Sequence, residues 1–140
     1  MKYAIQTTRY ADHQPGIQAV RRQVFIEEQG IDPTLEWDTY DSDAVFAIAL
    51  NQEKQVIGTG RLLSNGKIGR MAVLPEYRRQ GVGTALLLHL LTIAKHHGYS
   101  QVTLAAQQSV TSFYSKQGFI AVGPAHIEAG MPHQNMRRPI

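Results

Sequence analysis

Apolar residues recur at Ile17, Val20 and Val24, with Phe25 beside the last. That spacing predicts an amphipathic helix over residues 15–29, opened by Pro15 and stopped by Gly30. Residues 3–9, 44–50 and 55–63 read as strands, and the four residues 51–54 suit a hairpin loop between the last two. Residues 30–43 read as irregular, with Asp32-Pro33 as a turn signal. Ser64-Asn65-Gly66 turns into a strand over 67–74, ended by Pro75. The strongest helix spans 81–97: Leu86, Leu87, Leu90, Leu91, Ile93 and Ala94 cover most of its circumference, leaving a solvated stripe of His89, Thr92 and His96. Residues 101–106 form a short apolar strand. Val110, Phe113 and Tyr114 share a face of a second short helix that ends at Gly118. Residues 119–122 and 131–138 supply two further strands. The strand–helix–strand–helix–strand run over 67–122 predicts a mixed sheet with helices on its faces.

Composition narrows the class. At 140 residues and 43% hydrophobic content, one domain over residues 1–140 is expected, and 18% charged residues exclude global disorder. No apolar run approaches the roughly 18 residues that cross a bilayer, and the first residues lack a signal-peptide layout, so no membrane partner and a cytoplasmic location are expected. There is no cysteine, which excludes disulfides, thiolate zinc sites and a cysteine nucleophile. His96-His97 point apart on a helix, so no metal is expected. The net charge of +3 is too small to argue for nucleic acid. The arginine doublets 21–22, 78–79 and 137–138 lie far apart and carry no nucleic-acid motif, so no nucleic-acid partner is expected.

Charge distribution says more than the sum. Of eleven acids, seven fall in one window: Glu27, Glu28, Asp32, Glu36, Asp38, Asp41 and Asp43, with no Lys or Arg between Arg22 and Lys54. The bases gather elsewhere, at Arg70, Arg78 and Arg79. Between a strand and the long helix lies Arg78-Arg79-Gln80-Gly81-Val82-Gly83-Thr84. Two glycines allow close backbone approach, and a helix N-terminus presents free N–H groups with about half a positive charge. Phosphate or pyrophosphate is the natural guest; a solvated turn is the plain alternative. A Rossmann fingerprint needs glycine at Leu86, and a P-loop needs Gly-Lys-Ser/Thr, so both common nucleotide motifs are excluded.

Gly69-Arg70-Met71-Ala72-Val73-x-Pro75-x-Tyr77-Arg78-x-x-Gly81-x-Gly83 resembles the acetyl-CoA-binding motif of the GCN5-related N-acetyltransferases (GNAT). Phe113-Tyr114-x-x-x-Gly118-Phe119 resembles that family's second signature, at the expected distance. Val24-Phe25-Ile26-Glu27-Glu28-Gln29 and Gly130-Met131-Pro132-His133 are similar to its ElaA-like subgroup.

The resemblance implies an α/β fold with a mixed, mostly antiparallel sheet, flanked by helices, whose two central parallel strands splay apart around coenzyme A. Here those strands would be 67–74 and 101–106. Backbone groups of Met71, Ala72 and Val73 would pair with the pantetheine arm, and N–H groups of Arg79, Gln80, Gly81, Val82, Gly83 and Thr84, with Arg78 beside them, would hold the pyrophosphate. The Val73 N–H would stabilise the oxyanion. Tyr114 would be the general acid toward the departing thiolate; a core aromatic is its plain alternative. Gln107 matches the subgroup and would face the cofactor. Two positions depart from the pattern: residues 67–71 carry no carboxylate to act as base, and Ala105 stands where the subgroup often has Asn.

An acceptor amine arrives protonated, so Glu28, Glu36, Asp38 and Asp41 would attract it, with Trp37 and Tyr40 packing on the cation. A solvated loop explains the same residues equally well. His133 would line the acceptor site, and His126 could approach it. The expected activity is direct transfer from acetyl-CoA, as cosubstrate without a metal, to the primary amine of a small molecule; a homodimer is admitted. An acyl-CoA sensor and a peptide N-acetyltransferase are the rivals.

Overall fold

The computed structural model describes residues 2–140. Its first sheet consists of β1 (Ala4–Arg9), β2 (Val45–Leu50), β3 (Val56–Leu62) and β4 (Ile68–Val73), in that order and antiparallel throughout. β2 is apolar at every position because both of its faces are covered. Phe46 and Ile48 pack with Ile17 of α1 (Gln14–Arg21), while Ala47 and Ala49 pack with the leucines of the long helix, α3 (Val82–His96). The second sheet holds β5 (Gln101–Gln107) against β8 (Met131–Pro139), with β6 (Ile120–Ala121) and β7 (His126–Glu128) also paired to β8, all antiparallel.

The sheets join through the parallel strands β4 and β5. They meet at one bridge, Lys67 to Thr103, where the Thr103 N–H bonds the Gly66 carbonyl at 3.1 Å. No further pairing joins β4 to β5 among the described residues, so the strands diverge toward Val73 and Gln107. This is the splayed pair that the family resemblance implies.

Four expectations are corrected. The helix over 15–29 is α-wound only to Arg21; Arg22–Glu28 is π-wound, with the Gln29 N–H reaching back five residues to the Val24 carbonyl at 3.2 Å. The wider turn lets adjacent Val24 and Phe25 both bury. Residues 30–43 are ordered rather than irregular: Asp32 accepts from the Thr34 N–H and caps α2 (Pro33–Glu36), and a 3₁₀ turn follows at Asp41–Asp43. On α3, Leu88 is exposed while His89 Nε2 hydrogen-bonds Thr7 Oγ1 of β1 at 2.7 Å. Val110 precedes α4 (Thr111–Ser115) in a 3₁₀ turn and is exposed, so only Tyr114 and the half-buried Phe113 pack inward.

Candidate active site

The wedge is shaped by a bulge in β4. Its register with β3 passes from Thr59–Ala72 to Arg61–Gly69, so Arg70 and Met71 together oppose Gly60. Arg70 takes a left-handed φ of 52°, a conformation that costs about 1–3 kcal/mol for a non-glycine residue. Its guanidinium supplies the compensation: Nε lies 3.2 Å from Glu36 Oε2, and Nη2 lies 3.2 Å from both Asp38 Oδ2 and the Glu36 carbonyl. Gly60 leaves room beneath the bulge: a Cβ there would push against Met71 Sδ and Leu90 Cδ1, and those side chains would have to shift.

Beyond the bulge the Leu74 N–H bonds the Ile57 carbonyl at 3.0 Å, toward β3. By strand alternation the Val73 N–H faces the opposite way, into the wedge. Ala72 is turned to β3, its carbonyl 3.3 Å from where a Gly58 Cβ would lie. Of the three expected pantetheine contacts, Met71 and Val73 therefore face the open side, and the Ala72 backbone does not.

The turn over 78–84 is wound by two left-handed residues, Arg79 at φ 62° and Gly81 at φ 83°. The Arg78 N–H bonds the Pro75 carbonyl at 3.2 Å, and the Ala85 N–H bonds Gly81 at 3.0 Å. Between them, the N–H groups of residues 79–84 have no protein acceptor among the described residues. A Cβ at Gly83 would meet Phe113 at an unstrained 3.6 Å. Val82 anchors the turn by burying its side chain, and Thr84 is half-buried. The Gln80 side chain is spent locally on the Glu76 carbonyl. The Arg78 guanidinium is also occupied: Nε donates to the Val73 carbonyl at 2.9 Å, and its two terminal nitrogens grip Glu28.

Tyr114 is only 8% exposed, set edge-on against Phe113 and Phe119 at centroid distances of 5.0 and 5.7 Å. Its hydroxyl has no hydrogen-bond partner among the described residues, and burial pushes its pKa up to about 12.

Tyr114 borders a cavity of about 440 Å³ between the splayed strands, lined also by Gln29, Glu36, Asp38, Tyr40, Lys67, Met71, Ala105, Gln107 and His133. Gln107 Nε2 donates to Gln29 Oε1 at 2.8 Å, tying the end of β5 to the end of the π-wound segment. His133 pairs across β5 with Gln107 and donates from Nδ1 to the Met131 carbonyl at 2.9 Å. His126 stacks near it, with ring centroids 6.1 Å apart.

The acidic window is not an unpaired surface. Arg21, with no exposed side-chain area, pairs with Glu36 and with Asp41, the latter at 2.7 Å. Arg61 pairs with Asp38 and Asp41 at 2.9 and 3.0 Å. Burial pushes the Glu36 carboxyl up, against the downward pull of Arg21 and Arg70. Glu36 and Asp38 do line the cavity, but with their charges met by the chain's own arginines, and Asp41 lies outside it. Trp37 stacks on a cation as expected, though on Arg21 and Arg22, at 5.1 and 5.5 Å, rather than in the cavity. Glu28 is committed to Arg78.

Gln29, Lys67 and Arg70 belong to the site and escaped the sequence reading of it. Gln29 follows the Glu27-Glu28 pair directly, a signal within reach; the left-handed Arg70 had none.

A family model described as an acetyltransferase (GNAT) domain matches residues 13–139. The chain is 33% identical over 126 residues to the uncharacterised protein YyaT of Bacillus subtilis, covering 86% of this chain and 85% of that one. A crystal structure of an acyl-CoA N-acyltransferase from Pseudomonas aeruginosa is 29% identical, with a TM-score of 0.86, covering 98% of this chain and 99% of that one. Escherichia coli ElaA is 26% identical, with the same TM-score and coverage.

Proposed function

The chain belongs to the GNAT family of acyl-CoA-dependent N-acyltransferases, and on that premise we propose that it moves an acetyl group from acetyl-CoA directly to the primary amine of a small molecule. The observation that carries the reading is the wedge itself. One rim offers the unpaired N–H groups of residues 79–84, the wall offers the Val73 N–H, and Tyr114 stands between Phe113 and the cavity. An anionic pyrophosphate fits the first group, a thioester oxygen the second, and a departing sulfur the third.

The amine nitrogen attacks the thioester carbon, a C–N bond forms, the C–S bond breaks, and one proton leaves nitrogen as one reaches sulfur. The Val73 N–H meets the developing oxyanion. A phenol held near 12 stays protonated at every physiological pH, as an acid must. Full transfer from it to a thiolate of ordinary pKa near 8.5 would be uphill by on the order of 5 kcal/mol. Tyr114 therefore acts as a hydrogen-bond donor to the leaving sulfur, and the net proton comes from the amine. Direct transfer agrees with a chain that has no cysteine to carry an acyl group. A cavity of about 440 Å³, shared with the acyl end of the cosubstrate, favours a small acceptor. The paired carboxylates remove the argument that bare negative charge selects it.

The test is release of coenzyme A thiol from acetyl-CoA across polyamines, amino sugars, aminoglycosides and peptide N-termini. Turnover of at least one small amine is expected. Turnover of peptides alone overturns the small-molecule assignment, and absence of coenzyme A binding by calorimetry overturns the reading as a whole.

A further inference from the structure

β4 carries no carboxylate to take the acceptor's proton, and the acids near the cavity are spent. Glu36 and Asp38 are held by Arg21, Arg61 and Arg70, and Glu128 bonds His126 Nε2 at 3.2 Å. His133 remains. It is 6% exposed, lines the cavity with Tyr114, and sits opposite Gln107 at the open end of the wedge. Its Nδ1 faces the Met131 carbonyl at 2.9 Å. A carbonyl only accepts, so in the neutral ring the proton sits on Nδ1 and Nε2 carries a lone pair. Nε2 has no protein partner among the described residues.

We propose that His133 Nε2 is the general base that accepts the acceptor amine's proton. The inference rests on the acyltransferase reading and deepens it. As the C–N bond forms, the N–H pair stays on nitrogen and the proton moves to Nε2, giving an imidazolium. The C–S pair leaves with sulfur beside the Tyr114 hydroxyl, and the imidazolium returns its proton to solvent or to the thiolate as products depart. The charged groups facing His133 are few. Across the cavity stand Lys67 and the network of Glu36, Asp38, Arg61 and Arg70; on its own sheet stands the His126–Glu128 pair.

His133→Asn places an amide nitrogen where Nδ1 stood, keeping the bond to Met131 while removing Nε2. With a primary amine that the wild type acetylates, or with water as acceptor in slow acetyl-CoA hydrolysis, kcat should fall by about 10²-fold or more, with KM for acetyl-CoA unchanged. The acidic limb of the kcat–pH profile should vanish. A variant with wild-type rate and an intact limb overturns the assignment, while wild-type turnover leaves the acyltransferase reading standing. If the wild type neither binds coenzyme A nor turns over, it is that reading that fails. A second measurement needs no variant and no acceptor. Nitrogen-15 correlation spectra of the histidine rings should show His133 as the Nδ1–H tautomer, with its Nε2 resonance shifting when acetyl-CoA is added. The Nε2–H tautomer, or a resonance indifferent to acetyl-CoA, overturns the proposal.

Discussion

Arg78 and Glu28 grip each other at two points, Nη1 to Oε2 at 2.8 Å and Nη2 to Oε1 at 2.7 Å, while Arg78 Nε holds the Val73 carbonyl at 2.9 Å. The pair clamps the exit of β4 and the turn over residues 78–84 to the end of the π-wound segment, fifty residues away in the chain. Hydrogen bonding to Arg78 holds the Glu28 carboxyl below the usual range. A depressed carboxylate adds stability above its unfolded pKa and loses it as pH falls through the folded one. Glu28→Gln should therefore lower Tm slightly at neutral pH, by an amount that shrinks to nothing on acidification. Both side chains are over a third exposed, and such pairs are typically worth 0.2–1 kcal/mol. A melting difference between the two proteins that is independent of pH would show that the pair adds no charge-dependent stability.

Tyr114→Phe keeps the edge-on contacts with Phe113 and Phe119 and removes the hydroxyl. On the proposed role of Tyr114 as a hydrogen-bond donor to the leaving sulfur, kcat should fall by about 10²-fold, the lower end of the range for proton-transfer catalysis. Coenzyme A affinity should hold. With the phenol near 12, no alkaline limb below about pH 11 should belong to Tyr114, so the shape of the profile should be the same in the variant. Wild-type turnover in Tyr114→Phe would make the residue a core aromatic only.

Gly83→Asp tests the turn. A Cβ there meets Phe113 at 3.6 Å and Val73 at 3.9 Å, both ordinary contacts, so the fold should survive with little change in Tm. The carboxylate would stand among the N–H groups assigned to the pyrophosphate. Calorimetry should show coenzyme A binding weakened at least 100-fold. Undiminished affinity would move the phosphate site elsewhere.

Much of this architecture is legible in the chain because hydrophobic spacing and turn chemistry agree. The leucine-rich helix, the hairpin at 51–54 and the turn through Gly81 and Gly83 all form near where their local signals put them. What escaped is what depends on distant partners. The π winding of Arg22–Glu28 follows from packing Val24 and Phe25 together, which no periodicity of 3.6 encodes. Arg70's left-handed backbone follows from carboxylates more than thirty residues away. The acids between Glu27 and Asp43 have no Lys or Arg among them in sequence, yet Arg21, Arg61, Arg70 and Arg78 meet four of the seven in space.

That last contrast decides what Glu36 and Asp38 do. Were they free carboxylates recognising an ammonium, replacing them would raise KM for the acceptor and make it salt-dependent. In the structure Glu36 is 3% exposed and joins buried Arg21 to the strained Arg70. Removing one partner of a buried ion pair leaves an uncompensated charge and typically costs 3–5 kcal/mol. Arg21 keeps Asp41 and the Glu36 carbonyl, so Glu36→Gln should cost about 3 kcal/mol, read as a lowered denaturant midpoint at unchanged slope. Asp38 is half-buried, and Asp41 still engages its partner Arg61, so Asp38→Asn should cost about 1 kcal/mol or less. At temperatures where both variants are folded, acceptor KM should stay within a few-fold of wild type. The reverse pattern, unchanged stability with acceptor KM raised tenfold and collapsing toward wild type in high salt, would restore these carboxylates to substrate recognition and make the arginine network incidental.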